Sequence, residues 1–336
     1  MTEHNPSVDP TPSTIPENIQ VTVRGGFPSK EAATNLGKHI RNYLIQLGRQ
    51  IDLSSLDGVT VAEDYALALQ QLDRGKKTSI ALAPTSDLAT GIAMTPLVLR
   101  DGQVKSHIVL NAYQMMPIID PSDKDFQHAI YVLAHECCHV EISSRFNTAF
   151  PGTLLKKGYD TLTESLKSPP MHAAWDEFAA CLLSSSYGVD KTDDYENTFV
   201  LCLKQARSSA ISSIKAYRLD SNVDKLLQQI YKIYGDLIKF SGYILGAMAG
   251  SGASWKDRPV LKEALEKSWY LPFYEKLDAA LRAIAAEYGK WTDQSLFEAV
   301  GDILDEIVRD SGVFVTTTPG GGGRVDVPYS SETMPF

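Results

Sequence analysis

The stretch Tyr131-Val-Leu-Ala-His135-Glu136-Cys-Cys-His139-Val140 decides how this chain is read. The residues leading into it, Ala129 to Ala134, are apolar and uncharged, as a buried helix requires. On an α-helix, residues four apart share a face, so His135 and His139 can present both imidazoles to one ion. Glu136 lies about 100° round the helix from His135. It can reach a water on that ion without being a ligand. Two neutral nitrogens, a further donor and an open position for water suit zinc. The metal makes such a water acidic, and the carboxylate takes its proton.

That donor set needs one more ligand. The next acidic helix, Trp175-Asp176-Glu177-Phe-Ala-Ala180-Cys181-Leu-Leu183, offers it. Glu177 is followed at i+3 and i+4 by Ala180 and Cys181, small enough for a close helix approach. Asp176, a shorter acid on a neighbouring face, and His172, one turn earlier, are its rivals. Asp176 could instead orient a ligand histidine from behind. Cys137 and Cys138 fill the variable positions of the motif and read as small hydrophobes; the other use is a closed centre with Cys181. His128, seven residues before His135, reads as packing at the helix start.

His135-Glu136-x-x-His139 followed by a helix bearing Glu177-Phe-Ala-Ala-Cys-Leu-Leu resembles the gluzincin metallopeptidases. Within them it is similar to the compact ImmA/IrrE-like group of bacterial and phage proteins. The likeness covers roughly residues 58–187. It departs from that group where Asp176 and Glu177 abut Phe178, and in the length of the connection 145–170. The resemblance implies an α+β fold, in which a small antiparallel or mixed sheet packs on the motif helix as a minimal zincin core. It implies one zinc per chain on His135, His139 and Glu177, with Glu136 as general base. An oxyanion-stabilising group is expected of such enzymes, and Tyr187, His172 and Tyr159 are candidates by position. A strand at Ser106 to Tyr113, bearing His107, Val109 and Asn111, is expected to pair through its edge with an extended substrate.

Outward from the motif, the 336 residues are 43% hydrophobic and 22% charged, with a formal charge of −9. Such an acidic chain argues against a broad nucleic-acid-binding face and against a polybasic membrane surface. Phe240 to Ala253 is the most apolar uncharged stretch and is too short to span a bilayer. The first twenty residues show neither a basic start nor an apolar run, so no signal peptide is expected. Four unevenly placed cysteines suggest a reducing compartment, and the cytoplasm is the expected location.

Residues 1–18 read as a Pro-rich disordered leader, 19–190 as the catalytic core, 191–312 as a helical region and 313–336 as a flexible Gly/Pro-containing tail. Lys30 to Arg49 carries Leu36, Ile40, Leu44 and Leu47 at helical spacing. Val59 to Val61 and Ser79 to Leu82 read as strands. Ile92 to Leu99 and Lys105 to Leu110 flank Asp101-Gly102 as a hairpin. Helices are expected near 124–144, 171–187, 194–217, 221–247, 258–288 and 292–309, the second starting at Pro169-Pro170. Gly246, Gly250 and Gly252 mark close helix contact or a break. The expectation is therefore a zinc-dependent peptidase acting on a protein or peptide, with the late helices or the tail open to a regulatory partner. The competing expectations are a metal-binding regulatory module with a silent site, a hydrolase of a non-peptide amide, and a helical scaffold with a chance motif.

Overall fold

The structure is a computed structural model that describes residues 11–77, 82–83, 91–155, 158–319 and 322–335. It is mixed α+β, with a small mixed sheet and a mostly helical C-terminal region. The chain divides into two compact units. One runs up to Arg145 and includes Tyr187–Val189; the other comprises Phe146–Ser186 and the chain from Asp190 onward.

Among the described residues the first unit has five strands: β1 (Gln20–Arg24), β2 (Leu56–Ala62), β3 (Ala93–Met94), β4 (Leu97–Arg100) and β5 (Gln103–Asn111). β1, β2 and β5 pair in parallel in that order, and β3 and β4 add antiparallel to the far side of β5. Helix α1 (Lys30–Leu47) makes the crossover between β1 and β2. Ser29 caps it by accepting from the Ala32 N–H, and it buries Leu36, Ile40, Leu44 and Leu47, as the period-3.6 pattern predicts. Its Gly37 lies against Val21 and Val23 of β1; a Cβ there would stand 3.3 Å from Val23 Cγ2. The other short helices are α2 (Tyr65–Gln70) and α3 (Ala112–Met115), ahead of the motif helix α4 (Phe126–Ala149).

The expected hairpin forms as β4 and β5, with Asp101 and Gly102 at φ of 50° and 77°, as a type I′ turn demands. β3 and β4 follow one register along β5 and are interrupted at Thr95 and Pro96. Pro96 has no N–H to give to the ladder, which explains the gap. The Ser79 to Leu82 strand falls largely outside the described residues, as do residues 1–10 of the expected leader. Thr14, in the described part, hydrogen-bonds the carbonyls of Gly48 and Ile51 at 2.9 and 3.0 Å.

A register shift between β2 and β5 at Leu56/Gly58 makes Asp57 the odd residue of a bulge, and bulges re-aim side chains. Asp57 takes two hydrogen bonds from Arg100 (3.0 and 3.1 Å) and one from His107 Nδ1 (3.0 Å), while Thr60 donates to His107 Nε2 (3.0 Å). Burial works against the Asp57 charge, but the bonds from His107 and Arg100 outweigh it and hold the carboxyl below the usual range. Burial also pushes the His107 ring below its usual value, against the pull of Asp57. Both folded values lie below the unfolded ones, so this stabilisation is complete above about pH 6.5 and is lost on acidification. Asp57→Asn is expected to destabilise the first unit by about 1–3 kcal/mol at neutral pH. Thermal melts from neutral to acid pH should lose, in the variant, the part of the fall that lies below about pH 4.

The second unit is helical: α5 (Leu162–Ser184), α6 (Thr192–Asp220), α7 (Val223–Ser251), α8 (Pro259–Glu266), α9 (Leu271–Ala286) and α10 (Ser295–Asp310). The Pro169-Pro170 pair lies inside α5 and does not start it; the start is Thr161, whose side chain accepts from the Glu164 N–H at 3.1 Å. Packing overrides the propensity penalty there: α7 comes so close at Pro170 that a Cβ on Gly235 would lie 2.8 Å from the Pro170 Cβ. The single helix expected at 258–288 is two, because Pro272 sits in the first turn of α9, where a missing N–H is harmless. The segment expected as a flexible tail carries an antiparallel hairpin, β6 (Phe314–Thr317) with β7 (Gly323–Asp326). Beyond it, Arg218 donates to the carbonyls of Val327 and Pro328 at 2.7 and 2.6 Å. Among the described residues no helix is long and apolar enough to cross a membrane.

Candidate metal centre

The centre lies on the part of α4 that belongs to the first unit. Ala129, Leu133, Ala134, Cys137, Cys138 and Val140 are each fully buried, so the helix is sheltered all round. Loop residues before β2 anchor its far end. The Asp52 N–H donates to Glu141 Oε2 at 2.6 Å, and Ser55 Oγ donates to the Val140 carbonyl at 3.4 Å.

His135, Glu136 and His139 are 7%, 6% and 8% exposed. Their donor atoms all lie within 4.8 Å of one another. The two Nε2 atoms face each other at 3.1 Å with the ring planes at 86°. Tetrahedral zinc, with Zn–N of about 2.0–2.1 Å, would hold two nitrogens roughly 3.3–3.4 Å apart, so these rings are already near ligand spacing. Two imidazoles and a carboxylate buried together are costly in an apolar interior, and a divalent cation is one way to hold them. The cluster could therefore hold a metal ion; its donors do not by themselves specify zinc.

Glu136 is oriented by a residue that the sequence reading missed. Thr95, between β3 and β4, donates to Glu136 Oε2 at 2.6 Å, and its hydroxyl also lies 3.2 Å from the Glu136 carbonyl. Nothing in the composition around Thr95 marks it, because the two residues are 41 positions apart. Tyr65, at the start of α2, is a second omission. It is 5% exposed, and burial together with the nearby Glu136 charge raises its hydroxyl pKa.

No protein-family model, curated protein or solved structure matches the chain. The reading of the centre therefore rests on its own geometry.

The remaining expected site residues are placed as follows. Glu177, Asp176 and His172 lie on α5, in the second unit, and Glu177 is half-buried. His172 packs edge-on against Phe146, with centroids 5.0 Å apart, and near Phe297 at 6.3 Å. Burial pushes its pKa down to about 4, against the pull of Asp176. Tyr187 donates to Gln50 Oε1 at 2.6 Å and lines a cavity of about 280 Å³ with Tyr43, Leu47, Phe126 and Ile130. Tyr159 is an exposed loop residue. Cys137 and Cys138 are buried free thiols whose pKa values burial raises, so they behave as small hydrophobes.

The substrate strand requires a correction. His107, Val109 and Asn111 are on β5, which is paired with β2 on one side and with β3 and β4 on the other. Its backbone has no free edge to offer a peptide. His107 is held by Asp57 and Thr60, Val109 is core, and Asn111 caps α3 through the Tyr113 N–H at 2.9 Å. Among the described residues, the outer strand on that side of the sheet is the one antiparallel to β5. The Ile92 and Pro96 carbonyls accept from Asn111 and His107 at 2.9 Å each. By the alternation of an antiparallel ladder, the backbone groups of Ala93 and Thr95 point the other way.

Proposed function

We propose that this chain is a zinc-dependent peptidase of gluzincin type that cleaves an extended peptide or protein segment. The observation that carries the reading is the arrangement on α4: two imidazole nitrogens face each other at 3.1 Å, and the intervening Glu136 is tied through one oxygen to Thr95. His135 and His139 would hold the ion; imidazole donors suit zinc, and the resemblance to the gluzincins is what selects it over other imidazole-binding metals. The sequence pattern assigns the third donor to Glu177. When bound, the ion supplies Lewis acidity and lowers the pKa of water. Glu136 takes the proton from the attacking water and returns it to the departing amine. Thr95 donates to Oε2 and so orients the carboxylate that carries that proton. The outward backbone groups of Ala93 and Thr95 would pair with the substrate main chain. Four buried free cysteines suit work in the reducing cytoplasm.

The test joins metal content to cleavage. Purified protein should hold about one zinc per chain and cleave members of a peptide library. Chelation should stop cleavage, and added zinc should restore it. Glu177→Ala should lose most of the metal by elemental mass spectrometry. Full metal in Glu177→Ala would move the third donor to Asp176 or His172. Absence of metal from zinc-supplemented wild type would end the peptidase reading.

A further inference from the structure

At the carboxyl ends of the parallel strands β2 and β5 the first unit has an open pocket of about 740 Å³. Glu63, Asp64 and Tyr65 line one side of it, Ile92 another, and Asn111 and Tyr113 the rest. Among the described residues, its charged lining groups are the two carboxylates. One oxygen of each is engaged by backbone: Glu63 Oε2 accepts from the Gly26 N–H at 2.6 Å, and Asp64 Oδ1 accepts from the Leu67 N–H at 2.9 Å. The bonds fix both side chains and leave a second oxygen on each to accept from a ligand. Tyr65 is 5% exposed, and its hydroxyl is shielded from solvent on the side near Glu136, so it links the pocket wall to the metal centre. Tyr113, 67% exposed, offers an aromatic face at the rim; such a face attracts cations.

The pocket adjoins the outer strand. Ile92 lines it, and Thr95, which holds Glu136, lies three residues further along the same strand. Three residues of strand span about 10 Å.

We infer that this pocket is a subsite for the Lys or Arg side chain of a peptide paired in extended form along Ile92 to Thr95. The inference rests on the peptidase reading for the peptide and its path, and adds the chemistry that chooses among peptides. Two carboxylates give a cationic side chain charge-assisted hydrogen bonds, and among the described lining residues there is no cation to compete. The basic residue falls about three positions from the bond that Glu136 attends.

The experiment measures peptide binding to the full-length, zinc-loaded Glu136→Gln protein. Positional-scanning decapeptides are read by fluorescence anisotropy, with Lys, Arg, Leu or Glu at each position. One position should favour Lys or Arg over Glu by about tenfold or more, and added salt should weaken that preference. A second protein adds Glu63→Gln and Asp64→Asn. Both changes keep an oxygen for the backbone bonds, and Asn is a good N-cap, so an unchanged melting temperature is expected. In it the preference should shrink to within about threefold. Equal binding of basic and acidic peptides, a preference that survives the double substitution, or no peptide binding at all would overturn the subsite. Cleavage by wild type is scored separately. Cleavage without a basic preference removes the subsite and keeps the peptidase; basic-selective binding without cleavage does the reverse.

Discussion

Glu136→Gln should retain zinc and lower peptide hydrolysis by about 10²–10⁴-fold, the usual worth of a general base. The two properties separate because the proposed ligand nitrogens are those of His135 and His139, whereas Glu136 sits between them and is bonded to Thr95. Glutamine is nearly isosteric and its carbonyl can still accept from Thr95, so the helix need not move. His139→Ala should do the opposite in order: metal content falls first, and activity falls with it. Elemental mass spectrometry and a cleavage assay on the same preparations distinguish the two. A Glu136→Gln protein as active as wild type would remove the carboxylate from the chemistry. It would leave α4 as a metal-binding helix of regulatory use.

Gly246→Ala should destabilise the second unit by about 2 kcal/mol or more, although alanine favours a helix over glycine by about 1 kcal/mol. A Cβ at Gly246 would lie 2.2 Å from the Phe178 carbonyl oxygen and 2.9 Å from the Cys181 Cβ. One turn earlier, a Cβ at Gly242 would lie 2.4 Å from the Ala174 carbonyl oxygen. Backbone cannot swing aside as a side chain can, so α7 would have to leave α5 along their shared length. Gly252 is the control. It ends α7 at φ 72°, with nothing within 4 Å of a built Cβ. Gly252→Ala should therefore cost only about 1 kcal/mol, from the left-handed conformation. Urea denaturation followed by circular dichroism should place the midpoint of Gly246→Ala clearly below that of Gly252→Ala. The reverse order would refute the close approach.

Those two glycines show how far a sequence speaks. Gly246 and Gly252 both stand out in the apolar stretch that ends α7, and the sequence allows either close contact or a break. The structure uses one for each: Gly246 meets α5, and Gly252 takes the left-handed cap. The same limit appears at Pro169-Pro170. Their propensity marks a helix start, yet Thr161 and Glu164 had already capped one upstream.

The features legible in sequence are local. The spacing of Leu36, Ile40, Leu44 and Leu47 determines a helix with one buried face. Asp101-Gly102 determines a tight turn, because both residues accept positive φ. The four-residue interval from His135 to His139 places two imidazoles on one face of α4. Each follows from backbone geometry within a few residues, so the sequence by itself determined them. Tertiary structure decided the rest: that Thr95 holds Glu136, that Asp57 is turned by a bulge onto Arg100 and His107, and that β5 is interior while Ala93 and Thr95 face outward. Periodicity tells which side of an element is covered and never by what. The partner is chosen when segments tens of residues apart compete for the same hydrogen bonds and the same buried surface.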